Sequence, residues 1–330
     1  MYAIKVEDLT KEFDGFVAVD SISFNVESGE LFGLLGPNGA GKTTTINMLS
    51  TLLKPSSGYA EVAGYDVSKF KDIVRANIGV VFQEPALDNK LTGRENLEFH
   101  AMLYGIGKSE RKKRMDEVLS LVELKDKADI LVENYSGGMK RRLEIARGLI
   151  HKPKVLFLDE PTLGLDAQTR RHIWDYIKKM NKTQAVTIIL TTHYMEEADY
   201  LCDRVAIIDH GKIVALDTPT KLKDLVRGDV VSLEIREKIE DFIGYLKDVS
   251  WIKTIKQHNG YLNLTMEKAD EKIPKLIWIA NKKGITVSSV NLRKPSLEDV
   301  FLYFTGKTIR EESSFNDRKR AFVMRTMRKR

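Results

Sequence analysis

The sequence predicts an α/β protein built on a largely parallel sheet, followed by a smaller unit with the element order βαββαβ. Two observations carry the main prediction. Short apolar runs at 31–35, 155–158 and 186–191 alternate with helical patterns, which is typical of a parallel sheet covered by helices on both faces. A glycine-rich loop follows the first of these runs and opens a helix, as a phosphate-binding loop does.

The glycine-rich loop fits the pattern G-x-x-x-x-G-K-[ST], which is occupied here by Gly36, Pro37, Asn38, Gly39, Ala40, Gly41, Lys42 and Thr43. A helix is predicted after it at 44–53. Glycines let backbone N–H groups turn around an anion, and the helix N-terminus adds partial positive charge. Lys42 can then reach the β- and γ-phosphates of a nucleotide, and Thr43 can hold Mg²⁺. We therefore predict a site for a nucleoside triphosphate that extends to Thr44.

Length and composition restrict the class of protein. The chain has 330 residues, which suggests two domains. We see no apolar run near the ~18 residues that a membrane-spanning helix needs. The N-terminal stretch lacks the apolar core of a signal peptide, so we expect a cytosolic protein. A single cysteine, Cys202, fits a reducing compartment and is better explained as a small buried apolar residue than as a catalytic thiol.

The net charge of +6 is concentrated in a basic tail, residues 307–330. This tail holds nine Lys or Arg and three Asp or Glu, so the rest of the chain holds 44 residues of each sign and has no nucleic-acid signature. Phe322, Met324 and Met327 lie among its basic residues. The tail is either a solvated, disordered segment or a segment that lies on an anionic membrane surface.

The remaining elements are predicted in chain order. Strands enriched in β-branched and aromatic residues are expected at 2–7, 21–26, 78–82, 204–208 and 212–216. Residues 92–150 read as an all-helical insert with breaks near 105–107 and 133–138. Further helices are expected at 167–180 and 194–201.

The second unit begins near Gly228. Its predicted elements are a strand at 230–236, a helix at 238–247, strands at 251–256 and 261–266, a helix at 270–283, a strand at 285–292 and a last helix at 297–304. Asn259-Gly260 joins the middle strands and is a type I′ hairpin signal. The order βαββαβ predicts a ferredoxin-like arrangement.

Several polar residues follow predicted strands at the edge where ligands bind in α/β sheets. Asp159 and Glu160 end the strand at 155–158, where Asp159 can hold Mg²⁺ and Glu160 can act as general base toward water. Gln83 ends the strand at 78–82 and can complete the metal shell. His193 ends the strand at 186–191 and can bind a γ-phosphate. Taken singly, each has an ordinary alternative as a solvated or structural side chain.

Two further features concern helix starts. Ser136, Gly137 and Gly138 open a helix whose exposed N-terminus is a potential anion site, although the same residues also suit an ordinary N-cap. Asp166 follows Gly164-Leu165, one turn after the acid pair. It is either part of the nucleotide site or simply the N-cap of the next helix.

Taken together and in this order, the motifs resemble those of the ATP-binding cassette (ABC) ATPases over about residues 2–226. The resemblance implies a cassette at 1–227, with a RecA-like α/β core, a small antiparallel β part and a helical insert at about 92–150. It also implies the following roles: Walker A at Gly36–Thr43, Q-loop at Gln83, signature at Ser136–Gly138, Walker B at Leu156–Glu160, D-loop at Leu165-Asp166 and switch histidine at His193. Phe13 matches the aromatic residue that stacks on adenine, with Phe16 as the second candidate.

One residue pattern departs from the family. The commonest signature is LSGGQ, whereas this chain has YSGGM. The form YSGGM and the segment PSLEDVFLYFTG at 295–306 resemble the daunorubicin-resistance-type exporter ATPases. This narrower resemblance implies that residues 228–306 form an accessory domain, which either regulates the cassette or contributes to a dimer, or is a passive addition.

The resemblance implies ATP and Mg²⁺ as ligands, a second cassette as partner and a separate membrane permease. The permease's coupling helix would dock near Gln83, around Glu84 to Glu98, and the protein would be peripheral on the cytoplasmic face of the cell membrane. We expect ATP-driven export. The alternatives are an ABC importer ATPase and a non-transport ABC ATPase that acts on ribosomes or nucleic acid. The single cassette and the lack of a coiled-coil or zinc insert disfavour the non-transport class, whereas the basic tail keeps nucleic acid as a minor option. A regulatory module without turnover is disfavoured by Glu160 and His193.

Overall fold

The computed structural model describes residues 1–226, 228–235, 237, 239–258 and 261–306. The chain divides into two compact units, Met1–Thr218 and a second unit that begins at Pro219. The basic tail and Asn259-Gly260 lie outside the described residues. Within the described part, no helix has both the length and the apolar character needed to cross a membrane.

The described part of the first unit contains ten strands, seven α-helices and two short 3-10 helices, Lys125–Lys127 and Val132–Asn134. The strands are β1 (Tyr2–Phe13), β2 (Phe16–Glu27), β3 (Leu31–Leu35), β4 (Ser57–Val62), β5 (Tyr65–Asp66), β6 (Ile78–Val81), β7 (Val155–Asp159), β8 (Thr187–Thr192), β9 (Arg204–Asp209) and β10 (Lys212–Asp217). The helices are α1 (Lys42–Leu49), α2 (Lys71–Asn77), α3 (Gly93–Leu103), α4 (Lys108–Leu121), α5 (Gly137–Leu149), α6 (Ala167–Gln184) and α7 (Met195–Leu201).

The central sheet has six strands in the order β10-β9-β3-β8-β7-β6. Its inner pairs are parallel, and only β10 runs antiparallel, against β9. Strands β3, β7 and β8 are buried along their whole length, which explains their unbroken apolar sequences. Because they are parallel, their carboxyl ends meet at one edge and bring the segments that follow them together.

A second sheet of the first unit is antiparallel, in the order β2-β1-β4-β5. It shares one hydrophobic core with the central sheet, and the rings of Phe24 on β2 and Phe32 on β3 stack with centroids 5.3 Å apart. The expected combination of a parallel core and a small antiparallel part is therefore confirmed.

The insert is helical as predicted, with α3, α4 and α5 and no strand among its described residues. Thr92 and Glu95 form a capping box at the start of α3, which fixes where the insert leaves the sheet. The break after α3 lies at the predicted position, near 105–107, whereas α4 already ends at Leu121, so that the second break begins well before the predicted range of 133–138.

The second unit has the predicted order βαββαβ, preceded and followed by a helix. Its elements are α8 (Pro219–Leu225), β11 (Asp229–Ile235), α9 (Ile239–Leu246), β12 (Ile252–His258), β13 (Tyr261–Met266), α10 (Ala269–Lys282), β14 (Val287–Arg293) and α11 (Leu297–Thr305). The sheet is antiparallel in the order β12-β13-β11-β14, and α9 and α10 contribute to its core.

Some boundaries differ from the sequence predictions. The helix after the glycine-rich loop begins at Lys42 rather than Thr44 and ends at Leu49, since Gly41 in left-handed conformation forms its N-cap. Strand β6 ends at Val81, so that Gln83 lies in the loop beyond it. Helices α2 and α8 were not predicted, because each is only seven residues long and has few buried side chains.

Candidate nucleotide site

The glycine-rich loop lies at the carboxyl end of β3 and packs closely against neighbouring backbone. A Cβ on Gly36 would lie 2.2 Å from the carbonyl oxygen of Ile208. Gly41 has φ +103°, and its Cβ would lie 2.5 Å from the carbonyl oxygen of Ala18. Both positions therefore require glycine. The loop packs tightly against the neighbouring backbone at these two positions, and α1 starts directly after it.

Lys42 is held inside this loop. Its Nζ donates to the carbonyl oxygens of Gly36 (2.8 Å) and Pro37 (3.0 Å) and lies 3.5 Å from Oε1 of Glu160. The residue is only 4% exposed. Burial lowers the pKa of Lys42, and the nearby carboxylates offset only part of this effect. A buried ammonium group that is matched by one carboxylate and two carbonyls is well placed to receive an anion.

The hydroxyl oxygen of Thr43 and a carboxylate oxygen of Asp159 lie side by side at the edge of the sheet. The Thr43 hydroxyl donates to Oδ1 of Asp159 at 3.2 Å, and the Thr191 hydroxyl on β8 donates to the same oxygen. Hydroxyl and carboxylate oxygens are the ligands that Mg²⁺ prefers. The donor set therefore fits this ion, although no group of three or more His, Cys, Asp or Glu suited to a metal occurs in the part of the chain that the structure describes.

Glu160 follows Asp159 directly, with its backbone in the left-handed region at φ +46°. Its N–H donates to the hydroxyl and the carbonyl of Thr191, and the residue is 9% exposed. Oε1 lies 3.3 Å from Nδ1 of His193. Burial raises the pKa of Glu160, but His193 and Lys42 together outweigh it, and the net pKa lies below its ordinary value. Glu160 is thus a buried carboxylate that stays ionised at neutral pH.

Ser136 is the N-cap of α5 and accepts a hydrogen bond from the Met139 N–H at 3.3 Å. Ser136 and Gly137 are exposed, whereas Gly138 is buried. A Cβ on Gly138 would lie 2.5 Å from Cγ2 of Thr169, so glycine is needed for α5 to approach α6. The N-terminus of α5 is therefore presented to solvent at a fixed position.

Asp166, Gln83 and the two phenylalanines complete the predicted set. Asp166 is the N-cap of α6, where its side chain accepts hydrogen bonds from the N–H and hydroxyl of Thr169. Gln83 is exposed in the loop after β6, and among the described residues no hydrogen bond joins it to Thr43 or Asp159. Phe13 and Phe16 pair across the β1–β2 turn and are both exposed, so either ring is available to a ligand.

Three residues of this region escaped the sequence analysis. Thr191 bonds both acidic residues of the β7 end, and Arg141 and Glu144 form a buried ion pair behind them, with 3.1 Å between Nη1 and Oε2. A signal for the pair was present, since the two charges are three residues apart on the face of α5 that also buries Gly138, Ile145 and Gly148. Charges within an apolar helical stripe indicate a buried polar network.

Two family models match the chain. The model described as ABC transporter matches residues 19–163. The model described as ATP-binding protein DrrA1-3-like, C-terminal domain, matches residues 218–305.

Full-length relatives and solved structures agree with these matches. The linearmycin resistance ATP-binding protein LnrL of Bacillus subtilis is 40% identical over 93% of this chain and 100% of its own length. The daunorubicin/doxorubicin resistance ATP-binding protein DrrA of Streptomyces peucetius is 38% identical over 94% of this chain and 95% of its own. The ATP-binding cassette MJ0796, solved as a dimer bound to ADP and Pi, is 29% identical with a TM-score of 0.59, covering 65% of this chain and 98% of that one.

Proposed function

This chain belongs to the family of ATP-binding subunits of ABC transporters and is an ATPase, and we propose that it powers the export of a small molecule through a separate membrane permease. The relatives named for resistance to linearmycin and to daunorubicin and doxorubicin support the export direction. We place the working protein on the cytoplasmic face of the membrane, recruited there by the permease.

The observation that carries the catalytic proposal is the position of Glu160. Its carboxylate lies between Lys42 Nζ at 3.5 Å and His193 Nδ1 at 3.3 Å, at the end of the strand that also supplies Asp159. A buried, ionised carboxylate at this edge can accept a proton from the water that attacks the γ-phosphate. Lys42 would hold the β- and γ-phosphates, and His193 would orient the γ-phosphate.

Thr43 and Asp159 are the residues that would hold Mg²⁺, and Gln83 would have to approach them from the loop after β6 to complete the metal shell. When bound, the ion neutralises charge on the phosphate oxygens. The remaining loop residues, from Gly36 to Gly41, and Thr44 would surround the phosphates with backbone N–H groups. Phe13 would stack on the adenine, with Phe16 as the second candidate.

We further propose that two cassettes share each nucleotide. The N-terminus of α5 is exposed at Ser136 and Gly137, so that it is free to meet the triphosphate held by another copy. Asp166 lies on the adjoining helix start and would contribute to the same contact. The dimeric relative bound to ADP and Pi supports this arrangement. ATP then favours the closed pair by contacts that hydrolysis removes.

The permease would dock in a groove beside the helical insert, which we call the insert groove. It has a volume of about 300 Å³ and is lined by residues that include Leu52, Phe82, Ala86, His100 and Tyr104. Large apolar side chains stand exposed nearby: Phe99, Met102 and Leu103. Exposed apolar patches of this kind mark protein–protein contacts. The groove adjoins the predicted docking segment, Glu84 to Glu98.

The test is recovery of a partner from native membranes by the Glu160→Gln protein with ATP. This variant should hold the closed pair on its permease, and recovery of a multi-span membrane protein in equal amount is the expected result. A second substitution, Met102→Asp, should abolish recovery, whereas Phe70→Asp, at an exposed phenylalanine outside the groove, should not. Recovery of ribosomes or nucleic acid in place of a membrane protein would contradict the proposal.

The basic tail, residues 307–330, calls for a separate measurement. We propose that it contacts an anionic membrane surface, at about 1 kcal/mol per basic residue close to the surface. Flotation of the full chain and of a chain ending at Gly306 with anionic vesicles compares the two cases directly. Equal flotation would reject the membrane role of the tail.

A further inference from the structure

Arg141 on α5 is buried directly behind the acidic end of β7. The residue is 8% exposed, and its guanidinium uses all five of its N–H donors. The acceptors are the carbonyl oxygens of Pro161 (2.7 Å, from Nε), Asp159 (2.9 Å) and Glu160 (3.2 Å, both from Nη2), and Phe82 (2.6 Å) and the Glu144 carboxylate (3.1 Å, both from Nη1). One side chain thus joins two separate loops.

Three of these acceptors surround a backbone position that is unusual for its residue type. Glu160 has φ +46°, a region that costs a residue with a side chain about 1 kcal/mol or more. The bonds from Arg141 hold the carbonyls before, at and after this strained peptide. They therefore fix the direction in which the Glu160 side chain projects from the backbone.

Glu144 connects the same guanidinium to the loop after β6. The residue is 1% exposed. Its Oε2 accepts from Arg141, and its Oε1 accepts from the backbone N–H of Ala86 at 2.6 Å. Arg147, one turn further along α5, donates to the carbonyl oxygen of Ala86 at 3.0 Å. The segment 82–86 is thus bonded to α5 at both ends.

Phe82 and Ala86 also line the insert groove. Any partner seated there contacts the segment that Arg141 and Glu144 hold. We propose that Arg141 and Glu144 are positioning residues for hydrolysis: they form a relay that couples the segment 82–86 to the Glu160 carboxylate and holds that carboxylate in its reactive direction. This inference rests on the proposed catalytic role of Glu160.

Lysine cannot replace Arg141 in this arrangement. A lysine ammonium has three donors at one point, whereas the five bonds of Arg141 spread over a planar fork. Removing one charge of the buried pair also leaves the other without its partner, which is unfavourable in itself. The relay is therefore sensitive to substitutions that leave the phosphate loop and its contacts untouched.

The first test is steady-state ATP hydrolysis by Arg141→Gln, Arg141→Lys and Glu144→Gln. We expect kcat to fall about tenfold or more with a change in KM for ATP of less than about threefold, because neither side chain belongs to the proposed nucleotide contacts. Arg142→Gln is the matched control, since Arg142 is the next residue of α5 and bonds the Val122 carbonyl on another side. It should keep kcat within about twofold. Unchanged kcat in folded Arg141→Lys and Glu144→Gln would overturn the proposal.

The second test separates transmission from simple support of the fold. Hydrogen exchange is followed in the peptides covering 36–45 and 82–88, with and without the ATP analogue AMP-PNP and Mg²⁺. In the unsubstituted protein the analogue should slow exchange in both peptides. Glu144→Gln keeps an acceptor for the Ala86 N–H but removes the charge that pairs with Arg141. In this variant the analogue should still slow exchange in the peptide 36–45 but no longer in the peptide 82–88. A response that persists at 82–88 would overturn the relay.

The Glu160→Gln variant distinguishes the two proposals. If Glu160→Gln retains turnover, the catalytic role of Glu160 fails, whatever Arg141 does. If Glu160→Gln loses turnover while the Arg141 and Glu144 variants keep it, only the relay fails.

Discussion

His193 faces Glu160 across the carboxyl edge of the central sheet, with 3.3 Å between Nδ1 and Oε1. The contact lacks hydrogen-bond geometry, and Nδ1 has no hydrogen-bond partner among the described residues. The same carboxylate oxygen lies 3.5 Å from Lys42 Nζ. A carboxylate placed between these two groups favours its ionised form, which is the form that a general base requires.

Glu160→Gln should abolish turnover and preserve nucleotide binding. The amide keeps the size of the side chain but cannot accept a proton from water, so we expect ATP hydrolysis to fall about a hundredfold or more. Phosphate release measures the rate, and equilibrium binding of a fluorescent ATP analogue measures the affinity. Glu117→Gln, at a half-exposed position on α4, is the control and should hydrolyse normally. Turnover near the unsubstituted rate would remove Glu160 as the base.

The sequence predicted most of this site because each residue follows a strand or opens a helix in a recognisable pattern. The phosphate loop, Asp159 with Glu160, and His193 all follow parallel strands whose apolar sequences are unambiguous. The topology of parallel strands then brings them to one edge. The N-cap role of Ser136 is confirmed, and of the two roles predicted for Asp166 the structure confirms that of N-cap.

Contacts between segments that lie far apart along the chain could not be predicted from the sequence. Arg141 bonds carbonyl groups, which every residue carries, so no side-chain pattern marks its acceptors. Glu144 bonds the backbone of Ala86, 58 residues earlier. Such bonds depend on how α5 packs against two loops, and this is a property of the folded chain. Tyr135, the first residue of YSGGM, is a further example, because its contacts are with distant residues of the helical insert.

The contacts of Tyr135 explain why this chain has tyrosine at the position where the commonest family signature, LSGGQ, has leucine. The tyrosine ring is buried, its hydroxyl donates to the Lys127 carbonyl oxygen at 2.7 Å, and it lies against Gly93, whose added Cβ would meet the hydroxyl at 2.4 Å. Tyr135→Phe should therefore reduce the free energy of unfolding by about 1 kcal/mol.

Tyr135→Leu, which restores the common residue, should cost about 2–3 kcal/mol, because it also leaves a gap beside Gly93. Urea unfolding measures both differences. Equal stability of the leucine variant and the unsubstituted protein would show that the hydroxyl and the ring contribute nothing here.

Gly138→Ala should destabilise the protein through a single steric contact. The added Cβ would lie 2.5 Å from Cγ2 of Thr169, and overpacking of this kind costs about 1–3 kcal/mol. Thr169→Ser removes the clashing methyl group and retains the hydroxyl that bonds Asp166.

The double variant should therefore regain most of the lost stability, in a cycle measured by urea unfolding. Additive losses in the double variant would contradict the contact between α5 and α6. ATP hydrolysis by the same set shows whether that contact also matters to turnover.

Stability should fall in mild acid because of His100 in the insert groove. Burial, Arg147 and His151 lower the pKa of His100 to about 4, against 6.5 ordinarily. The folded state thus favours the neutral imidazole. Its contribution to stability is complete above pH 6.5 and is lost as the pH falls from 6.5 toward 4, where the unfolded chain binds the proton and the folded chain does not.

Between pH 7.5 and pH 5 the unsubstituted protein should therefore lose about 1 kcal/mol more stability than His100→Gln, after allowance for partial exposure of the ring. His172→Gln, at an exposed position on α6, should lose as much as the unsubstituted protein. Urea unfolding at the two pH values gives the comparison. Tyr104 and His151, whose rings stack 3.8 Å apart, line the same groove as His100. A partner that binds there and excludes water should therefore increase the loss of stability in acid. Equal losses in all three proteins would show that His100 titrates alike in the folded and unfolded chains.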